Sequence, residues 1–287
     1  MNTPIERRRF LELGGIAAAG FALSSVANIA PAAAADRIKK AVGWEMIQED
    51  LSVEDKFRLA RDIGFEGVEV SSRARQTAGI EPEELARASE KIGLPIHGVV
   101  GATPDGLKAA LDEAGVYGAT SLLYVVRADP QGSYLENYRR SQEVIHAAIP
   151  HAEKKGIPIL IENVWATFLI EPLTMARYID ELQSPFVKAY FDVGNVMRWG
   201  VPHQWIEVLG SRIGKIHVKE YSLKIAMNEG MAKGFNVPMG QGDIDWNRVG
   251  EELRKISFHD WATAEVRGGD RQRLAQVFAE MNTILAL

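Results

Sequence analysis

The chain has 287 residues, a formal charge of −5 and no cysteine, with 46% hydrophobic and 25% charged residues. Disulfides, thiolate metal sites and a cysteine nucleophile are therefore excluded. The acidic balance argues against nucleic acid as the main partner, because phosphate binding wants a basic face.

The first 35 residues read as an address. Arg7, Arg8 and Arg9 precede Phe10-Leu11, an apolar stretch from Leu13 to Ala30, Pro31 and the run Ala32 to Ala35. A basic start, an apolar middle and a small-residue end are the parts of a signal peptide. The arginines followed by Phe-Leu resemble a twin-arginine signal, with Glu6 where Ser or Thr is usual and Glu12 in place of the later Lys. The apolar stretch is too short and too rich in Gly and Ala for a membrane span, so no stable membrane anchor is expected. The expectation is a signal over residues 1–35, export through the twin-arginine translocon to the periplasm, and a mature domain over 36–287.

From Ala41 onward short apolar runs alternate with segments of helical period. The predicted strands are Ala41–Met46, Gly67–Ser71, Pro95–Val100, Ser121–Arg127, Pro158–Asn163, Val187–Val193, Lys215–Glu220 and Ala262–Val266. Helical patterns fill the gaps, with Gly64, Gly93, Gly118 and Gly156 where a left-handed residue ends a helix. Ser52, Glu81 and Asp245 stand near helix starts. Strict alternation implies a parallel sheet. Eight units without a linker predict an α/β fold, a single-domain (β/α)₈ TIM barrel. An open Rossmann sheet is the alternative, but no Gly-x-Gly-x-x-Gly follows the first strand. The connection from Glu220 to Trp246, with four glycines, is long for a compact domain. It reads as a lid or substrate-contact loop, or as a packing insertion over the barrel rim.

Barrel chemistry sits at the C-terminal ends of strands. Glu162 and Asp192 end apolar runs, His217 lies between Ile216 and Val218, and Glu265 between Ala264 and Val266. Singly, each has a structural reading as a helix cap or a satisfied core residue. Together they fall on strands five to eight, so closure gathers them around one point. Three carboxylates that close cannot all stay ionised unaided, and a divalent cation resolves the repulsion. Oxygen ligands with one imidazole suit Mn²⁺, Mg²⁺ or Co²⁺.

The segments Ile161-Glu162-Asn163, Phe191 to Asn195, Lys215 to Glu220, Gly240 to Trp246 and Ala264-Glu265-Val266 resemble the xylose isomerase-like barrel superfamily of sugar isomerases and epimerases. The resemblance covers the mature chain. It implies one Mn²⁺-like ion held by Glu162, Asp192, His217 and Glu265, with the two glutamates as the acid/base pair of an epimerase that works through an enediolate. Those epimerases usually carry a His three residues past the aspartate and an Arg just past the metal-binding His. Asn195 and Tyr221–Leu223 stand there instead, which puts free-ketose epimerisation in question.

Further residues are candidates for substrate contact. Lys219 shares a strand side with His217 and could hold a substrate oxygen, or form a salt bridge in the mouth. Glu69 and His97 face the lumen, toward substrate or toward each other. Trp165 and Trp199 could stack on a sugar or lie under a lid, and Asn195 borders the site. The expected partner is a small sugar, and a homo-oligomer is compatible with the sequence. The leading expectation is a sugar isomerase or epimerase. Elimination or hydration of a keto-sugar such as a 3-keto-glycoside is the alternative, and a non-catalytic sugar-binding barrel a third reading. An abasic-site endonuclease would need several zinc ions and many histidines, whereas the chain has six.

Overall fold

A computed structural model describes residues 37–72, 78–166 and 168–286. The expected signal segment lies outside the described residues.

Eight parallel strands close in sequence order: β1 (Lys39–Gly43), β2 (Gly67–Ser71), β3 (Ile96–Val100), β4 (Leu122–Tyr124), β5 (Ile159–Glu162), β6 (Val187–Asp192), β7 (Ile213–Val218) and β8 (Trp261–Ala264). β8 pairs with β1, Ala264 opposite Val42, which seals the cylinder. Helices follow the strands on the outside, so the fold is a single-domain (β/α)₈ TIM barrel. Among the described residues no helix is long and apolar enough to cross a membrane.

Local chemistry explains the helix limits. Ser52 and Asp245 accept hydrogen bonds from Asp55 N and Arg248 N and so cap the helices Val53–Ile63 and Trp246–Lys255. Glu81 makes no side-chain cap, and Pro82 opens the helix Pro82–Ile92 in its place. Gly64, Gly93, Gly118 and Gly156 all take positive φ, which side chains resist.

The period-two alternation of strands divides the interior. Ile159, Ile161, Phe191, Ile216 and Val218 turn outward into the main core beneath the helices. Leu123, Leu160 and Tyr190 form a separate small cluster inside the barrel. The same alternation puts Glu162 on the Leu160 side, Asp192 on the Tyr190 side, and Lys215 and His217 on one face of β7.

Some strand limits differ from expectation. Trp44–Met46 is a 3₁₀ turn and not the end of β1. β7 starts two residues earlier than expected and ends at Val218, and β8 ends at Ala264. Lys219, Glu220 and Glu265 therefore lie just past their strands, on the rim.

The long connection after β7 is ordered. It holds a helix Leu223–Glu229 and a 3₁₀ segment Met231–Phe235. Glu220 fastens it, accepting from the N–H of Tyr221, Gly240 and Ile244 and from Trp246 Nε1, at 2.7–3.3 Å. Gly242 permits the approach, since a Cβ there would sit 2.5 Å from Glu220 Oε1. This segment is a braced arm, with the Phe235 ring centroid 5.3 Å from Lys219 Nζ.

Candidate metal centre

Four side chains from consecutive strands meet at the C-terminal mouth. Glu162, Asp192, His217 and Glu265 each offer a ligand atom, and these atoms lie within 4.8 Å of one another. His217 Nδ1 is 3.0 Å from Glu162 Oε1, 3.6 Å from Glu265 Oε2 and 3.9 Å from Asp192 Oδ2. Asp192 has no solvent exposure, whereas the side chain of Glu265 is 49% exposed. The cluster thus has a buried base and one open side.

The strand ends are held in place by amides. Asn163 Nδ2 donates to the Asp192 carbonyl, and Asp192 N donates back to Asn163 Oδ1, both at 2.8 Å. Asn195 N donates to Asp192 Oδ1 at 2.7 Å, and Asn195 Nδ2 donates to the Asn163 carbonyl at 3.0 Å. This leaves Asp192 Oδ2 buried without an aligned hydrogen bond, although Lys219 Nζ stands 2.7 Å away.

Lys219 also contacts Glu265, so its ammonium sits among the carboxylates. Of the two readings open for Lys219, the geometry displays the salt bridge. Burial pushes the Asp192 carboxyl up to about 8, against the opposing charge of Lys219. Partial burial would raise Glu265, but the charges of His217 and Lys219 outweigh it and hold it at about 2. Burial would lower Lys219, but Asp192 and Glu265 raise it. His217 behaves alike: its burial is outweighed by Glu265 and Glu69.

The arrangement fits a divalent cation. Three carboxylates and an imidazole converge, and the buried Asp192 Oδ2 has no aligned hydrogen bond and lies beside the Lys219 ammonium. Hard or borderline ions such as Mn²⁺, Mg²⁺ or Co²⁺ take such donors.

The remaining candidates are placed as follows. Glu69 and His97 are both buried in the lumen, yet they do not pair with each other. Glu69 turns to His217 and Tyr190, while His97 stacks on Trp261 at 4.5 Å and contacts Lys215 and Thr263. Trp165 packs against Phe235 and Tyr221, and its Nε1 donates to the Asn195 carbonyl. Trp199 is 46% exposed, with the Arg198 guanidinium 4.2 Å from its ring and 4.8 Å from that of Trp165. Sequence reasoning missed the roles of Asn163, Tyr190 and Glu220. Only Glu220, a carboxylate beginning a glycine-rich loop, carried any local signal.

Comparison with known proteins agrees with this architecture. The family described as Xylose isomerase-like TIM barrel matches residues 57–284. An Escherichia coli (strain K12) protein provisionally named L-ribulose-5-phosphate 3-epimerase SgbU is 25% identical over 122 residues, and the match spans 42% of each chain. The apo structure of the 3-keto-D-glucoside 4-epimerase YcjR from E. coli superposes with a TM-score of 0.70 at 14% identity, covering 88% of this chain and 100% of that one. Protein SMc04130 from Sinorhizobium meliloti 1021 gives 0.72 at 21% identity over 85% and 97%. At these identities the structural likeness is one of fold. By the extent of the family match, the chain belongs to the xylose isomerase-like TIM barrel family.

Proposed function

We propose that the protein is a divalent-metal-dependent isomerase or epimerase of a sugar or sugar derivative. The observation that carries this reading is the convergence of Glu162, Asp192, His217 and Glu265 at one open-sided point, with Asp192 Oδ2 buried beside Lys219. The epimerase names of the E. coli relative and of YcjR support the substrate class.

Glu162, Asp192, His217 and Glu265 would hold the ion, Mn²⁺ by preference. When bound, the ion supplies Lewis-acid polarisation of a substrate carbonyl and its neighbouring hydroxyl. Glu162, at the buried side, removes the proton from the adjacent carbon and leaves an enediolate. Glu265, at the exposed side, relays a proton from solvent to the opposite face of the enediolate, while the proton taken by Glu162 is released to solvent. Lys219 Nζ stabilises developing negative charge on a substrate oxygen. The arm brings the Phe235 ring to the edge of the site, with its centroid 5.3 Å from Lys219 Nζ.

A second reading is elimination or hydration of a keto-sugar. Its specific support is Asn195, which stands where related epimerases carry a histidine and whose amide is committed to the Asn163 carbonyl. Export is part of the proposal: the arginines at 7–9 would route a folded, metal-loaded protein to the periplasm, protecting a Mn²⁺ site from ions higher in the affinity order. Export that survives changing Arg7 and Arg8 to Lys would sink this part.

Proton NMR in D₂O tests the chemistry. The Mg²⁺- or Co²⁺-loaded protein is incubated with ketoses and 3-keto-glycosides, with Glu162→Gln as control. Deuterium entering a sugar carbon, and lost in the variant, is the expected result, and the product distinguishes stereoisomer from alkene. No exchange across the panel would favour a sugar-binding barrel.

A further inference from the structure

Below the cluster the lumen contains an unbroken row of polar side chains. His217 Nδ1 faces Glu162, and its other ring nitrogen, Nε2, lies 2.8 Å from Glu69 Oε2. Glu69 Oε1 accepts from the Tyr190 hydroxyl at 2.7 Å. That hydroxyl lies 3.1 Å from Thr263 Oγ1, which is 3.0 Å from His97 Nε2. Glu69 is 4% exposed and Tyr190 fully buried. Gly98 leaves the space for the carboxylate, because a Cβ there would stand 3.0 Å from Glu69 Oε1. A register shift between Val68 and Glu69 sets Glu69 opposite that glycine.

Both oxygens of Glu69 are therefore engaged, one by a hydroxyl and one by an imidazole. A carboxylate only accepts, so without metal each ring nitrogen carries a hydrogen, Nδ1 toward Glu162 Oε1 at 3.0 Å and Nε2 toward Glu69 Oε2 at 2.8 Å. A cation held among the ligands would displace the Nδ1 hydrogen and leave the one on Nε2. We infer that Glu69, held by Tyr190, is a positioning residue of the metal centre: it fixes the His217 ring and keeps hydrogen on Nε2, so that Nδ1 is presented to the cation. Such an outer carboxylate both orients an imidazole ligand and strengthens it as a donor. The inference rests on the proposed reading of His217 as a ligand. It removes Glu69 from the substrate contacts and explains a buried carboxylate 148 residues away from its histidine in sequence.

The test is Mn²⁺ affinity, measured by electron paramagnetic resonance of the free ion, for the wild type, Glu69→Gln and Tyr190→Phe. Glutamine keeps the shape, but with Tyr190 donating to its oxygen its amide nitrogen faces Nε2 and demands an acceptor there. Affinity is expected to fall roughly 10–100-fold in Glu69→Gln, with a smaller loss in Tyr190→Phe. Long-range ¹H–¹⁵N NMR of the Mg²⁺-loaded protein, with His217→Ala to assign the signal, should show Nε2–H in the wild type. Glu69→Gln should lose that tautomer, a change that a purely structural role for Glu69 would not produce. If Glu69→Gln does not fold, Tyr190→Phe decides by itself. Wild-type affinity and an unchanged tautomer in a folded variant overturn the positioning role alone. A wild type that binds no Mn²⁺ overturns the metal reading, and the positioning role with it.

Discussion

The two ends of the barrel interior treat buried charge in opposite ways. At the floor, Lys215 Nζ donates to the His97 carbonyl and to Thr120 Oγ1 and lies 3.1 Å from His97 Nδ1. His97 in turn stacks on Trp261, over which Lys39 sits at 4.6 Å. Every polar atom of that lysine and histidine has a partner. At the mouth, three carboxylates crowd together and Asp192 Oδ2 is left without an aligned donor. The floor network is closed on itself and contributes rigidity, whereas at the mouth the carboxylates of Asp192 and Glu265 share one lysine, a pairing that a cation would compete with. Residues of one strand, Lys215 and His217, belong to the two different regimes.

The largest expected effect sharpens that contrast at the mouth. Asp192→Asn keeps the shape and the amide contacts but removes the carboxylate oxygen that would ligate the ion and that pairs with Lys219. Its Mn²⁺ affinity should drop by more than the roughly 10–100-fold that outer contacts are worth, while its melting temperature without metal stays level or rises. A variant that binds Mn²⁺ like the wild type would break the comparison.

Next comes the brace of the arm. Glu220→Ala removes one buried acceptor from four N–H groups. Leaving them unsatisfied should destabilise the protein by about 3 kcal/mol, lowering the melting point by roughly 6–12 °C for a domain of this size. An unchanged melting curve would mean that the arm is held by its packing alone.

The third effect separates the floor by pH. Burial brings Lys215 down from its ordinary 10.5 to about 8. Between those values the unfolded chain holds the proton and the folded one does not, so stability rises with pH across that window. The rise amounts to at most about 3 kcal/mol. Guanidinium unfolding at pH 7.5 and 10 should show it in the wild type, relative to Lys215→Met, where this contribution is absent. Equal pH dependence in both proteins would place the lysine in contact with water.

The same comparison explains what was readable before the structure. The alternation of strands and helices, the closing glycines and the Ser52 and Asp245 caps are local signals, and they carried the fold. The grouping of Glu162, Asp192, His217 and Glu265 followed once eight strands closed, because strand order alone brings their ends together. Strand limits were less legible. β8 stops at Ala264 because its neighbour β1 turns into a 3₁₀ segment at Trp44, a constraint set by a partner more than 200 residues away. Glu69 illustrates the limit best. Its apolar neighbours Val68 and Val70 placed it in the lumen, yet its partner depends on a register shift and on the hydroxyl of Tyr190. The sequence pattern sets Lys219 on the His217 side, but its pairing with Asp192 and Glu265 depends on the strand ending at Val218.

The central claim is that one divalent ion binds at the mouth through those four side chains. Crystals of the protein grown with Mn²⁺ and measured at the manganese absorption edge test it most directly. The account predicts a single strong anomalous peak in contact with Glu162, Asp192, His217 and Glu265, with Lys219 displaced from Asp192. No peak there, with Lys219 still bridging Asp192 and Glu265, would contradict it.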